Sequence, residues 1–422
     1  MNLNLTITAF ILMVAGNYWV ARSVLYPPFI FCVMFLLDFS IYRAGFIEID
    51  PLHTNTLLFI CSGALLFSVG GLLSRSIPNR LMLARFTLTT LPSRSKVPKY
   101  VILVLLIFSF PLIVHDRIEK ASQGTGGSFL ERARSATTEQ AEEGLRSSDY
   151  LVNSIPTTAV GVAILFALEE YDWTFWCANV LALLAVLSGA GRTDVLTLVA
   201  AMVGIRLIRT KRESFAAAFK FVKWPILIFT IFFVLFVYVG KDTSSYSSFS
   251  DIVAFFLVGY LISPTTALDH VVQHPGDFLL PNHTFQFLLK PAAALHLISY
   301  TPPPVLDQFI LVPFPTNVYT VYRFYLTDFG FIGALICLGS IGMLHSVLYR
   351  RARQQGSRLS LVLFGYSLFA VIMVIFDDHY FEVGFYIRAV IFCLVYWLLS
   401  SFKWSWLPAR KTSAVVALNE IV

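Results

Sequence analysis

Residues 313–330 read PFPTNVYTVYRFYLTDFG, and residues 329–348 continue as FGFIGALICLGSIGMLHSVL. A polar, aromatic segment thus runs into an apolar stretch of about the ~20 residues that cross a bilayer. The pattern predicts a membrane helix over 329–348, with Arg323 and Asp328 held beside the point where it enters the lipid. Asn317, Thr320 and the ring hydroxyls of Tyr319, Tyr322 and Tyr325 accompany them. Charge and hydrogen-bonding groups at headgroup level point to a site for a polar ligand attached to lipid.

The rest of the chain repeats the apolar pattern. Of its 422 residues 57% are hydrophobic and 13% charged, with a mean hydropathy of +0.73, too apolar for a water-soluble globule. Apolar runs ending at polar punctuation predict helices at 5–21, 24–42, 55–74, 100–115, 151–168, 173–189, 193–208, 224–240, 329–348, 359–376 and 384–401. The expected fold is an all-α polytopic membrane protein of about eleven spans, one integral domain over 1–422. The opening MNLNLTITAF has no Lys or Arg ahead of its apolar run, which fits a retained first helix and not a cleaved signal. Cys32, Cys61, Cys177, Cys337 and Cys393 stand singly in predicted helices, implying neither a disulfide framework nor a metal site.

Short connectors set the orientation. Arg75, Arg80, Arg85, Arg94, Lys96 and Lys99 follow the third run; Arg206, Arg209, Lys211, Arg212, Lys220 and Lys223 follow the seventh. Arg350, Arg351, Arg353 and Arg358 follow the ninth, and Lys403, Arg410 and Lys411 the last. Threaded alternately, these four groups share one side, which the positive-inside rule makes cytoplasmic. The net charge of +6 then reports orientation and does not call for a nucleic-acid partner.

Two long segments are left on the outer side, 116–150 and 241–328. The first mixes Gly, Ser and Thr with Glu131, Arg132, Arg134, Glu139, Glu142, Glu143 and Arg146, the composition of a solvated surface segment or lid. The second holds the run Ile252–Ile262, short for a span and suited to a re-entrant or interfacial position. Pro264, Pro275, Pro281, Pro291 and Pro302 to Pro304 then divide it into short helices and turns.

Ionisable groups collect on this side. GAGRTD at Gly189 to Asp194 separates two apolar runs and puts Arg192 and Asp194 at membrane depth. They form either a local pair capping a tight hairpin or a site where the Arg192 guanidinium grips a diphosphate through paired hydrogen bonds. Lys241 and Asp242 close the eighth run; Asp377, Asp378, His379 and Glu382 follow the tenth, and Arg388 lies within the eleventh. With Arg323 and Asp328 they compose a basin for a multiply charged anion. His270, His274, His283 and His296 in the large loop offer a base near neutral pH. Asp328-Phe329-Gly330 spells a kinase tripeptide without a kinase's other loops, and Gly124 to Gly127 lacks the ending of a phosphate loop. Glu48 and Asp50 have the spacing of an acidic metal-holding pair but fit a headgroup-level turn, and no cofactor is expected.

Asn317-Val-Tyr-Thr, Tyr325 and Asp328-Phe-Gly at a helix start resemble the signature of the bacterial oligosaccharide repeat unit polymerases, the Wzy or O-antigen polymerase family. The Gly191-Arg192-Thr193 turn and the layout of about eleven helices with a large late outer loop are similar to that family too. The resemblance implies a glycosyltransferase type C-like fold in the bacterial inner membrane, with the site facing the periplasm. It implies transfer of a growing glycan from undecaprenyl diphosphate to a sugar hydroxyl of a new lipid-linked repeat unit. Arg192 and Arg323 would then stabilise the leaving diphosphate, with Arg388 and Lys241 as additions. Asp242, His283 and Asp378 are candidates for the base, and Tyr319 and Tyr325 for stacking on sugar or anchoring the interface. A chain-length-determinant protein and a flippase are the partners it implies. An O-antigen ligase and a flippase for the same lipid-linked glycan stay open as alternatives.

Overall fold

The computed structural model describes residues 2–46, 49–77, 97–124, 129, 132, 136, 147–166, 173–188, 192–220, 222–223, 227, 249–274, 282–301, 309–312, 315–354, 358–380, 385–386, 389–390 and 392–394. Among them the chain is overwhelmingly helical. In order come α1 (Leu3–Ala21), α2 (Pro27–Ala44), α3 (Thr54–Leu73), α4 (Val97–Gln123), α5 (Ser147–Phe166), α6 (Trp173–Ser188) and α7 (Arg192–Arg209). Then follow α8 (Phe249–Gln273), α9 (Gln286–Ala294), a two-residue ladder of β1 (Ile310–Leu311) with β2 (Pro315–Thr316), α10 (Tyr322–Gln354) and α11 (Arg358–Ile372). Five helical stretches are long and apolar enough to cross a membrane: Leu3–Ala21, Pro27–Ala44, Thr54–Ser76, Tyr100–Gln123 and Tyr322–Gln354. Trp173–Val186 and Leu359–Ile375 are shorter apolar helices. The chain is a helical membrane protein.

The expected spans at 224–240 and 384–401 fall almost wholly outside the described residues. Two expected boundaries move. α4 runs on past residue 115 to Gln123, carrying Asp116 and Lys120 on one face with their charges 3.0 Å apart. The run Ile252–Ile262 is the middle of the 25-residue α8, which continues through Pro264.

Local chemistry sets the ends of the first helices. Asn2 caps α1 by accepting the Leu5 N–H at 2.9 Å, and Arg22 ends it in the left-handed region. Pro27 and Pro28 open α2, where a missing N–H loses nothing. α3 is capped from a distance: Asp269 at the end of α8 accepts the His53 N–H at 3.1 Å and the Thr56 hydroxyl at 2.5 Å, while its second oxygen meets His53 Nδ1 at 2.8 Å.

Among the described residues, three of the basic loops meet at one end of the helices. Arg75 donates to the Val20 carbonyl at 2.7 Å, Arg353 to the Ala21 carbonyl at 3.2 Å, and Arg350 to the Ser74 carbonyl. Cations are thereby placed on helix C-terminal carbonyls, where the helix dipole favours them. Buried Glu213 joins the same end, accepting from Ser23 at 2.5 Å, Tyr349 at 2.7 Å and Arg353 Nε at 3.1 Å. Arg43 to Asn4, His53 to Asp269 and the Val321 N–H to the Val374 carbonyl mark the opposite end.

α3 and α10 pack backbone to backbone. A Cβ at Gly70 would lie 2.0 Å from the Gly339 carbonyl oxygen, and one at Gly342 2.3 Å from that of Phe67. At the head of α10 the Tyr322 ring fills the notch left by Gly63, and its hydroxyl donates to the Ile60 carbonyl at 2.6 Å. Gly70→Ala should therefore lower stability by about 1–3 kcal/mol through overpacking. Gly16→Ala, with nothing within 4 Å of the new carbon, should leave it level or raised. Thermal unfolding of both purified variants in detergent checks the contrast.

Candidate functional site

The stretch 319–330 sits at the end opposite the basic loops, and the kink that shapes it is at Gly330. Its φ of 68° and ψ of −175° interrupt α10, setting the short helix 322–329 off from the long one beyond. That conformation is essentially reserved for glycine.

On the short helix Asp328 points inward. Its side chain is fully buried, and one carboxylate oxygen accepts the N–H groups of His283 at 3.1 Å and Thr284 at 2.7 Å. The other meets His283 Nδ1 at 3.2 Å. Asp328 thus fixes the turn that leads into α9 and turns the imidazole. A carboxylate cannot donate, so Nδ1 carries a proton, and in the neutral ring Nε2 is left as the acceptor. Among the described residues no hydrogen bond reaches Nε2.

Aromatic rings join this pair to Arg323. The His283 ring stacks on Phe324 with centroids 4.9 Å apart, and the Arg323 guanidinium lies 5.2 Å from the same Phe324 ring. The guanidinium also lies 3.6 Å above the ring of Tyr319. A base and a permanent cation are therefore separated by one ring. Tyr300 closes the group, donating to the Asn282 carbonyl at 2.7 Å, its phenol raised above the usual range by burial and by the Asp328 charge.

A second polar cluster lies beside the first. Asp378 is buried, accepts the Tyr380 N–H at 2.8 Å, and has Tyr325 beside its carboxyl. The Tyr380 hydroxyl meets His345 Nδ1 at 3.0 Å, while His345 Nε2 meets Ser367 Oγ at 2.9 Å. Ser367 spends its own proton on the Phe364 carbonyl, so Nε2 donates and Nδ1 accepts from Tyr380. Tyr386, whose ring stacks on Phe287 at 4.1 Å, has its phenol raised by burial.

These positions revise several expectations. Arg323, His283, Asp328 and Tyr319 lie together; the sequence reading grouped Arg323, Asp328 and Tyr319 and held His283 as one of several candidate bases. Asp328, however, is buried beneath the turn, where its carboxylate is taken up by His283 and Thr284. Tyr325 is buried beside Asp378 and presents no face to a sugar, and the Tyr319 ring carries Arg323. Burial raises the Asp378 carboxyl from 3.8 to about 8, so at neutral pH it is mostly protonated. Asn317 is half-buried in the strand-to-helix connection. Arg192 opens α7, at the end away from Glu213, and the side chain itself is outside the described set. Lys241, Asp242, Arg388, Glu382 and Glu48 lie outside the described residues. Sequence reasoning passed over His345 and Asp269, although a lone histidine inside an apolar run is itself a signal.

Asp328→Ala removes the acceptor of two backbone N–H groups. It should expose the 282–300 segment to limited proteolysis while the helices stay resistant. Asp378 gives a pH dependence of definite sign. Folded, it keeps a proton that the unfolded chain releases above about pH 4, so it lowers stability progressively from about pH 4 to about pH 8. Thermal midpoints measured across that window should fall less steeply in Asp378→Asn than in the wild type. Comparison with protein-family models, curated proteins and solved structures finds no match to this chain.

Proposed function

We propose that the chain is a membrane glycosyltransferase that polymerises oligosaccharide repeat units carried on undecaprenyl diphosphate. In this reading the basic end faces the cytoplasm and the His283–Arg323 end the periplasm of a bacterial inner membrane. The observation that supports it most is the pairing of Arg323 with an oriented His283 across the Phe324 ring, at one end of apolar helices. The sequence resemblance of the same stretch supplies the reaction.

The chemistry assigns each group a task. The acceptor hydroxyl gives its proton to His283 Nε2 as its oxygen attacks the anomeric carbon. The bond from that carbon to the diphosphate oxygen breaks, and its electron pair leaves with the diphosphate. Arg323 meets the growing negative charge with a flat, permanently ionised fork that lies over the Tyr319 ring. Arg192 serves the same anion from the head of α7, where a cation opposes the helix dipole and so gains nothing for helix stability. The donor is already activated, so no nucleotide-binding loop is needed.

Purified protein in nanodiscs, given a synthetic undecaprenyl-diphosphate repeat unit, should yield a ladder of chain lengths on a gel, with or without chelator. No ladder from folded protein with the matched sugar unit would shift the reading to a ligase or a flippase. Arg323→Lys and Arg192→Lys should lose most of the ladder at normal expression, since an ammonium neither stacks flat nor forks. His283→Gln should slow it by about 10²–10⁴-fold.

A further inference from the structure

The segment that carries His283 has a second face. Beyond the turn held by Asp328, α9 and the residues after it expose Leu288 at 57%, Leu295 at 70% and Leu297 at 72%, with Ile298 beside them. Between residues 282 and 301 there is no Asp or Glu, and Lys290 is the sole Lys or Arg. Such a surface is unsuited to water, and three observations indicate what covers it.

The first is continuity. Phe285 sets its ring edge-on to Phe329 of α10, centroids 6.1 Å apart. Next along α10 come the exposed Phe331, Ile332 and Ile336, on a helix long and apolar enough to cross a membrane. The apolar face of α9 thus extends the face that α10 turns to lipid. The second is backbone accounting, since peptide groups near hydrocarbon must be satisfied within the protein. At the start of the segment the His283 and Thr284 N–H groups go to Asp328, and those of Leu288 and Leu289 to the Phe285 carbonyl. At the end, Leu295 donates to Pro291, His296 to Ala293 and Leu297 to Ala292, with His296 in the left-handed region. This closes the last carbonyls of α9 in the manner of a Schellman cap. The third is charge: a lipid surface asks for apolar side chains and a basic edge and has no use for carboxylates.

We propose that α9 with residues 295–298 is an interfacial element, its Leu288, Leu295, Leu297 and Ile298 buried among the acyl chains of the leaflet at the Asp328 end. The turn bearing His283 is then bounded by α10 on one side and by phospholipid on the other. This goes beyond the proposed reaction and does not rest on it.

The test is photocrosslinking of the full chain in nanodiscs of phosphatidylethanolamine and phosphatidylglycerol. Leu288→p-benzoylphenylalanine and Leu297→p-benzoylphenylalanine should each gain the mass of one phospholipid, at a yield like that of the same change at Ile332. The change at Gln354, exposed at the far end of α10, should give none. Leu295→p-benzoylphenylalanine reads the same surface should either of the first two fail to fold. Labelling at Ile332 with none at 288, 295 and 297 would overturn the proposal. Crosslinks between two copies of the chain would overturn it in favour of a dimer interface. Absence of lipid on Ile332 itself would overturn it too, by removing the lipid-facing surface that α9 is held to extend.

Discussion

The fold depends on two helices touching without side chains between them. In lipid, helices gain nothing by hiding apolar surface from apolar surroundings, so association relies on close packing and on polar contacts. α3 and α10 meet that demand through Gly70 and Gly342, each against the backbone of the other helix. The approach fixes the register of α10 along α3. Tyr322 then has one position available, seated over Gly63 with its hydroxyl on the Ile60 carbonyl. The residues on either side of Tyr322, which carry Tyr319, Arg323, Phe324 and Asp328, inherit that placement.

Polar groups inside the bundle extend the same logic. Asn17 of α1 donates to Ser68 of α3 at 3.0 Å and to the Pro28 carbonyl of α2 at 3.4 Å, tying the first three helices at one level. Thr265 donates to Asp38 at 2.6 Å and joins α8 to α2. At the basic end the arginines that orient the chain also satisfy helix carbonyls, and Glu213 collects hydroxyls and a guanidinium from α10 and from the turn between α1 and α2. A charge pattern that reads as topology in sequence is thus also an ion and hydrogen-bond clamp.

What the sequence disclosed follows from range. Helix existence is a local property of apolar runs, so the helices among the described residues were legible, and the described basic residues of three loops do lie at one end. The importance of 313–330 was legible as well, because charge beside an apolar run stands out. Partners were not. Asp328 and His283 lie 45 positions apart, and nothing in the spacing says that the carboxylate orients the imidazole. Asp269 caps α3 across more than two hundred residues, a pairing with no local trace. The length of α8 was hidden by Pro264, which reads as a break but is tolerated where neighbouring helices support the freed carbonyl.

Gly330 explains why the polar groups of the candidate site gather where they do. A helix interrupted at membrane depth leaves N–H and C=O groups without partners, and such a break persists only where protein or a polar cavity surrounds it. Continuing α10 unbroken through 330 would satisfy those groups at no expense. It would also move the helix 322–329, and with it the Asp328 carboxylate, away from the His283 turn and Phe324 from beneath the imidazole. The break therefore has to be stabilised by the contacts it creates: two backbone N–H groups on a buried carboxylate, a stacked imidazole, and Tyr322 anchored to α3. Those contacts leave the Arg323 guanidinium over the Tyr319 ring, with Phe324 beside both it and the His283 imidazole. The kink is accounted for by the contacts it holds in place.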